Sequence, residues 1–161
     1  MSNAMKIPKL FLSWQLNPDN SILINCDSSY TKIYLMSDDI IRLRTAFTNE
    51  FSEESYILTT TAWDDHFDQL LATERKKIIS LVPLTTENAH NLIISTATLD
   101  ITINKNPFYI QIHDQQQNLV YSDLKSRPYT KDQLGRVTHY TEIDLENDSF
   151  YGFGEKTGAI N

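Results

Sequence analysis

The feature that most restricts how this chain can fold is apolar alternation with a period of two. In Thr98-Leu99-Asp100-Ile101-Thr102-Ile103-Asn104, the side chains of Leu99, Ile101 and Ile103 share one face, and Thr98, Asp100, Thr102 and Asn104 share the other. A strand buried on one side needs this pattern; helical neighbours recur every 3.6 residues and cannot use it. Phe108, Ile110 and Ile112 alternate in the same way with Tyr109, Gln111 and His113, and the Lys105-Asn106-Pro107 link is short enough for an antiparallel hairpin. Residues 22–26, 32–36, 41–44 and 137–145 read similarly. The breaks between strands, at residues 17–20, 27–29, 114–118 and 126–128, carry Asn, Asp, Ser and Pro, which favour turns where glycine is scarce. One interval departs from the pattern. Trp63, Phe67, Leu70 and Leu71 recur at helical spacing, with Lys76 and Lys77 placed to complement a helix dipole, so one short helix is expected over 62–77.

Short strands without alternating helices predict an all-β fold, an antiparallel two-sheet β-sandwich. At 161 residues the chain suits one domain. Met1-Ser2-Asn3-Ala4 reads as the remnant of an expression tag, which puts the natural start at Met5 and the domain at 5–161. Pro8 and Lys9 interrupt the stretch that a signal peptide would need to be apolar, and Cys26 has no second cysteine to pair with, so a cytoplasmic protein is expected. Fourteen basic against twenty-one acidic residues give a net charge of -7. That balance opposes nucleic acid and anionic membrane as partners unless basic residues gather locally, and no basic patch is visible in the sequence.

Candidate chemistry is sparse, and no cofactor or metal is expected. Three of the four glycines fall in Gly152-Phe153-Gly154-Glu155-Lys156-Thr157-Gly158, but the spacing misses the dinucleotide fingerprint, and Glu155-Lys156-Thr157 lacks the glycine that a phosphate loop places before its lysine. Glu142, Asp144, Glu146 and Asp148 suit a solvated strand face better than a calcium loop, because Ser149 stands where such a loop needs glycine. His139 shares an apolar face with Val137, Ile143 and Leu145, where a hydrogen-bonded core or semi-core imidazole is commoner than a catalyst. Cys26 lies on the apolar side of its strand with Ile22 and Ile24, where a thiol is usually inert. Asp64 and Asp65 are adjacent and so diverge in direction. Trp14, Trp63, Tyr109, Tyr121 and Tyr140 could stack on sugar rings, but their spacing selects no platform.

The strand–turn–strand run of residues 99–112, followed by Phe150-Tyr151-Gly152-Phe153-Gly154-Glu155-Lys156-Thr157-Gly158, resembles the N-terminal, galactose mutarotase-like β-sandwich of glycoside hydrolase family 31, the α-glucosidase family. The likeness is good over about 90–158, loose over 20–47 and without pattern over 48–89. In that family the sandwich precedes a catalytic (β/α)8 barrel whose carboxylates perform retaining cleavage of α-glycosidic bonds. The resemblance therefore implies a non-catalytic domain of an α-glucosidase-like enzyme, with the barrel as its partner and an α-linked glucoside or oligosaccharide as the whole protein's substrate. It carries over no catalytic residue. It marks Phe150, Tyr151, Gly152, Phe153, Gly154, Glu155 and Lys156 as a junction motif, within 150–158, against an absent barrel. Three aromatic side chains uncovered there would favour self-association of the isolated chain. The alternatives are a free-standing carbohydrate-binding module and a protein-interaction domain.

Overall fold

The computed structural model describes residues 5–51, 60–61, 76–77 and 79–144. Four strands, β1 (Phe11–Leu16), β2 (Ile22–Cys26), β3 (Tyr30–Leu35) and β4 (Ile41–Ala46), form an antiparallel meander with sequential neighbours. A two-residue parallel pair follows, β5 (Thr60–Thr61) with β6 (Lys76–Lys77). A second meander contains β7 (Leu84–Glu87), β8 (Asn91–Ser95), β9 (Leu99–Lys105), β10 (Phe108–Asp114) and β11 (Leu119–Ser122). The hairpin of β12 (Tyr129–Lys131) and β13 (Val137–His139) completes the described chain. This is the expected all-β sandwich. Residues 62–75 of the expected helix lie outside the described residues, and its last two, Lys76 and Lys77, are in β6.

Register explains why alternation carries the fold. Ile22 faces Ile33, which faces Leu43, on one sheet; Ile110 faces Ile103, which faces Leu92, on the other, with Ile112, Ile101 and Ile94 beside them. Branched side chains opposite one another fill the gap between pleats, and both rows meet in one core with Cys26, Leu35, Phe47, Phe108 and Tyr129. Turn positions behave as their residues allow: Asn20 and Gln117 take positive φ in the 17–20 and 114–118 breaks. Gly135, at φ +83°, turns the β12–β13 hairpin, where Asp132 Oδ1 accepts from the Leu134 and Arg136 amides.

Polar clasps close the sandwich. Along one edge Glu87 accepts from Trp14 Nε1 at 2.9 Å and from Lys105 Nζ at 2.7 Å, and the Lys105 ammonium also lies 5.3 Å from the Phe11 ring centre. The bonds from Lys105 and then Trp14 hold the Glu87 carboxyl below its usual range. At one end Asp38 ties the β3–β4 turn to the β8–β9 turn, its carbonyl accepting from Thr96 Oγ1 and Thr98 Oγ1 and its carboxylate from the Ala97 amide. The expected strand over 137–145 is shorter than its alternation suggests. It ends at His139, because Val137 and Ile143 are about half exposed and the apolar row has no core beneath it.

Ile103→Ala, in the centre of the core, is expected to lower the unfolding free energy by about 2–5 kcal/mol, from lost transfer energy plus a cavity. Leu12→Ala, on a side chain 58% exposed, should change it by no more than about 0.5 kcal/mol. Urea unfolding of both variants checks the assignment of inner and outer faces.

Candidate functional site

Asp123, just past β11, is fully buried. Its Oδ2 accepts from the Ile110 amide at 2.9 Å, and its Oδ1 accepts from the Tyr121 hydroxyl and from His139 Nε2 at 2.8 Å. The backbone holds it from both sides as well, since its amide donates to the Ile110 carbonyl and it forms a bridge with Thr141. Burying a carboxylate without such donors would be strongly unfavourable, so β10, β11 and β13 are bound to one another through this side chain. His139 also stacks on Tyr129, the rings 4.6 Å apart and 12° from parallel.

The Tyr121 hydroxyl donates to Asp123 Oδ1, and His139 Nε2 lies 2.7 Å from the Tyr121 oxygen and 2.8 Å from the same Asp123 oxygen. Burial, followed by the neighbouring Tyr129 and Asp123, pushes the Tyr121 phenol far above its ordinary value, and burial does the same for Tyr129. Neither phenol can act as a base near neutral pH. The cluster is an anchor, and its geometry shows what it holds: the Leu124 amide donates to the Tyr140 carbonyl, the Tyr140 amide to the Pro128 carbonyl and the Glu142 amide to the Ser122 carbonyl. Residues 140–142, just past β13, are therefore held against the sandwich by backbone bonds.

Several expectations can now be placed. The junction motif Phe150 to Lys156, with Trp63, Asp64 and Asp65, lies outside the described residues. Cys26 is buried with its thiol pushed up to about 12, chiefly by burial, which agrees with an inert group. His139 is hydrogen-bonded as expected, but its side chain is 41% exposed and faces Asp123 and Tyr129, not a row of core aliphatics. Asp123 escaped the sequence reading, for a buried carboxylate looks like any surface one; Tyr121 and Asp123, two residues apart at the end of β11, were the available signal. Among the described residues no group of three His, Cys, Asp or Glu side chains could hold a metal.

Residues 30–161 match the family model of the glycosyl hydrolase 31 N-terminal galactose mutarotase-like domain. The chain belongs to this family. The glycosyl hydrolase 31 domain is 31% identical over 138 residues to alpha-glucosidase 2 of Bacillus thermoamyloliquefaciens, an alignment that takes in 85% of this chain and 15% of that protein. Among solved structures it is similar to the family 31 dextranase of Flavobacterium johnsoniae, complexed with isomaltotriose, at a TM-score of 0.61 and 19% identity over 80% of this chain and 14% of the dextranase. It is also similar to the cycloalternan-forming enzyme of Listeria monocytogenes, in complex with a pentasaccharide substrate, at a TM-score of 0.56 and 14% identity over 79% of this chain and 10% of that enzyme. The sandwich is thus a small part of each of these proteins.

Asp123→Ala should cost about 3 kcal/mol in urea unfolding, because the Ile110 amide and Tyr121 hydroxyl lose a charged acceptor, and His139→Ala about 1 kcal/mol, since that ring is partly solvated. The raised Tyr121, Tyr129 and Cys26 values have a signed consequence. Below the unfolded-state values, about 8.5 for a thiol and 10 for a phenol, their stabilising contribution is complete; above them the unfolded chain ionises first and stability falls. The thermal midpoint is expected to drop steadily from pH 8.5 to 11, and less steeply in Tyr121→Phe; a flat profile would contradict the burial of these groups.

Proposed function

We propose that this domain is the non-catalytic N-terminal unit of a cytoplasmic α-glucosidase-like glycoside hydrolase, supporting a C-terminal (β/α)8 barrel and its substrate entrance. The observation that carries the reading is the anchoring of the last described segment. Asp123, Tyr121 and His139 bind the last described hairpin to the second sheet, and three backbone bonds hold residues 140–142, which precede the motif at 150–156 in the sequence. Gly152 and Gly154 suit close backbone approach there, and Phe150, Tyr151 and Phe153 supply apolar area for a partner surface. The share of alpha-glucosidase 2 outside the matched region leaves ample length for a barrel. The buried Cys26 thiol suits a reducing compartment.

The whole protein would cleave α-linked glucosides with retention, through two closely spaced carboxyl groups of the barrel and without a metal or other cofactor. The domain's own aromatic rings favour this supporting role over a sugar-binding one. Trp14 donates to Glu87, Tyr121 donates to Asp123, Tyr109 lies under Lys125 and Tyr140 under Arg127. Each described candidate platform is already engaged.

Residues 5–161 alone should give no turnover on a chromogenic α-glucoside, whereas the protein read through the full frame beyond Asn161 should give it. Hydrogen exchange at 150–158 should slow in the longer protein. A stop codon after Asn161, or strong concentration-independent protection of 150–158 in the short chain, would overturn the reading; saturable binding of maltose by the short chain would favour a carbohydrate-binding module instead.

A further inference from the structure

The fold gathers basic residues that the sequence keeps apart. Lys6 and Lys131 exchange both backbone hydrogen bonds, at 2.9 and 3.0 Å, so they sit directly opposite in an antiparallel step with their side chains on one face. Like charges so placed oppose each other, and neither ammonium has a hydrogen-bond or ion-pair partner among the described residues. The segments joined by this step, 6–9 and 125–131, carry Lys6, Lys9, Lys125, Arg127 and Lys131 and no acidic residue, in a chain whose net charge is -7. They remain close beyond that step. The Phe108 amide donates to the Lys9 carbonyl, and Lys125 lies 5.9 Å from the ring centre of the adjacent Tyr109. Lys125 and Arg127, the latter 4.3 Å above the Tyr140 ring, are held over aromatic faces, which limits the side-chain entropy they would lose on pairing. The nearest acid in sequence, Asp132, is occupied by Arg136 at 2.6 Å.

We propose that this patch, centred on Lys6 and Lys131, docks a carboxylate-bearing surface of the same polypeptide beyond Asn161. The inference rests on the supporting role proposed above and names the chemistry of the partner surface. A facing pair of cations suits carboxylates at short range, while the net charge of -7 repels an extended polyanion such as nucleic acid. An uncompensated Lys–Lys step at a surface is weakly unfavourable alone and becomes favourable once acidic side chains cover it.

Zero-length carbodiimide cross-linking of the full-length protein, read by peptide mass spectrometry, tests the assignment, since it joins an amine only to a carboxylate in contact. Lys6 or Lys131 should be joined to Asp or Glu residues beyond 161, and Lys6→Gln/Lys131→Gln should abolish those links while leaving links elsewhere intact. An active full-length enzyme whose Lys6 and Lys131 form no link beyond 161 overturns this inference and leaves the supporting role standing. Salt-sensitive retention of the full-length enzyme on heparin, lost in the double variant, would assign the patch to a polyanion and overturn it too. A reading frame that stops after Asn161 removes both proposals together.

Discussion

A carboxylate taken out of water is tolerated only where donors replace the solvent, and in this protein the donors for Asp123 come from three separate strands. That requirement organises the second half of the sandwich. The Ile110 amide must face β11, Tyr121 must turn its hydroxyl inward, and β13 must approach closely enough for His139 to reach the same oxygen. The two meanders need only local pairing, but β12 and β13 pair with neither sheet. Their position depends on Tyr129 in the core, on this buried acceptor and on backbone bonds to neighbouring segments such as the Lys6–Lys131 pair.

The division of labour follows from the chemistry of the two kinds of contact. Isoleucine against isoleucine joins the sheets without selecting a direction, since apolar burial is indifferent to orientation. Hydrogen bonds to Asp123, Glu87 and Asp38 supply the direction, each linking elements distant in sequence.

The parts of this arrangement that were legible in sequence are those where one side chain decides one face. β2, β9 and β10 alternate cleanly, and their registers follow. β8 was hidden because Ile93 places an aliphatic group on the outer side between Leu92 and Ile94, and β1 because Leu12 and Leu16 are exposed at an edge. The strand expected through residue 145 stopped early for the opposite reason: alternation without a surface to cover does not make a strand. Asp123 and the Lys6–Lys131 step were hidden for a common cause. Their character lies in what a distant segment brings to them, a donor in one case and a second positive charge in the other, and local pattern holds no record of either.

The central claim is that Asp123 holds residues 138–142 on the second sheet, and hydrogen exchange on Asp123→Asn tests it most directly. The substitution keeps the volume while removing the charge on which the donors converge. The account predicts that amides of residues 138–142 lose protection by about tenfold or more while those of Ile94, Ile101 and Ile103 keep theirs. Unchanged protection at 138–142, or an equal loss in both regions, would show that the hairpin is held by something other than this carboxylate.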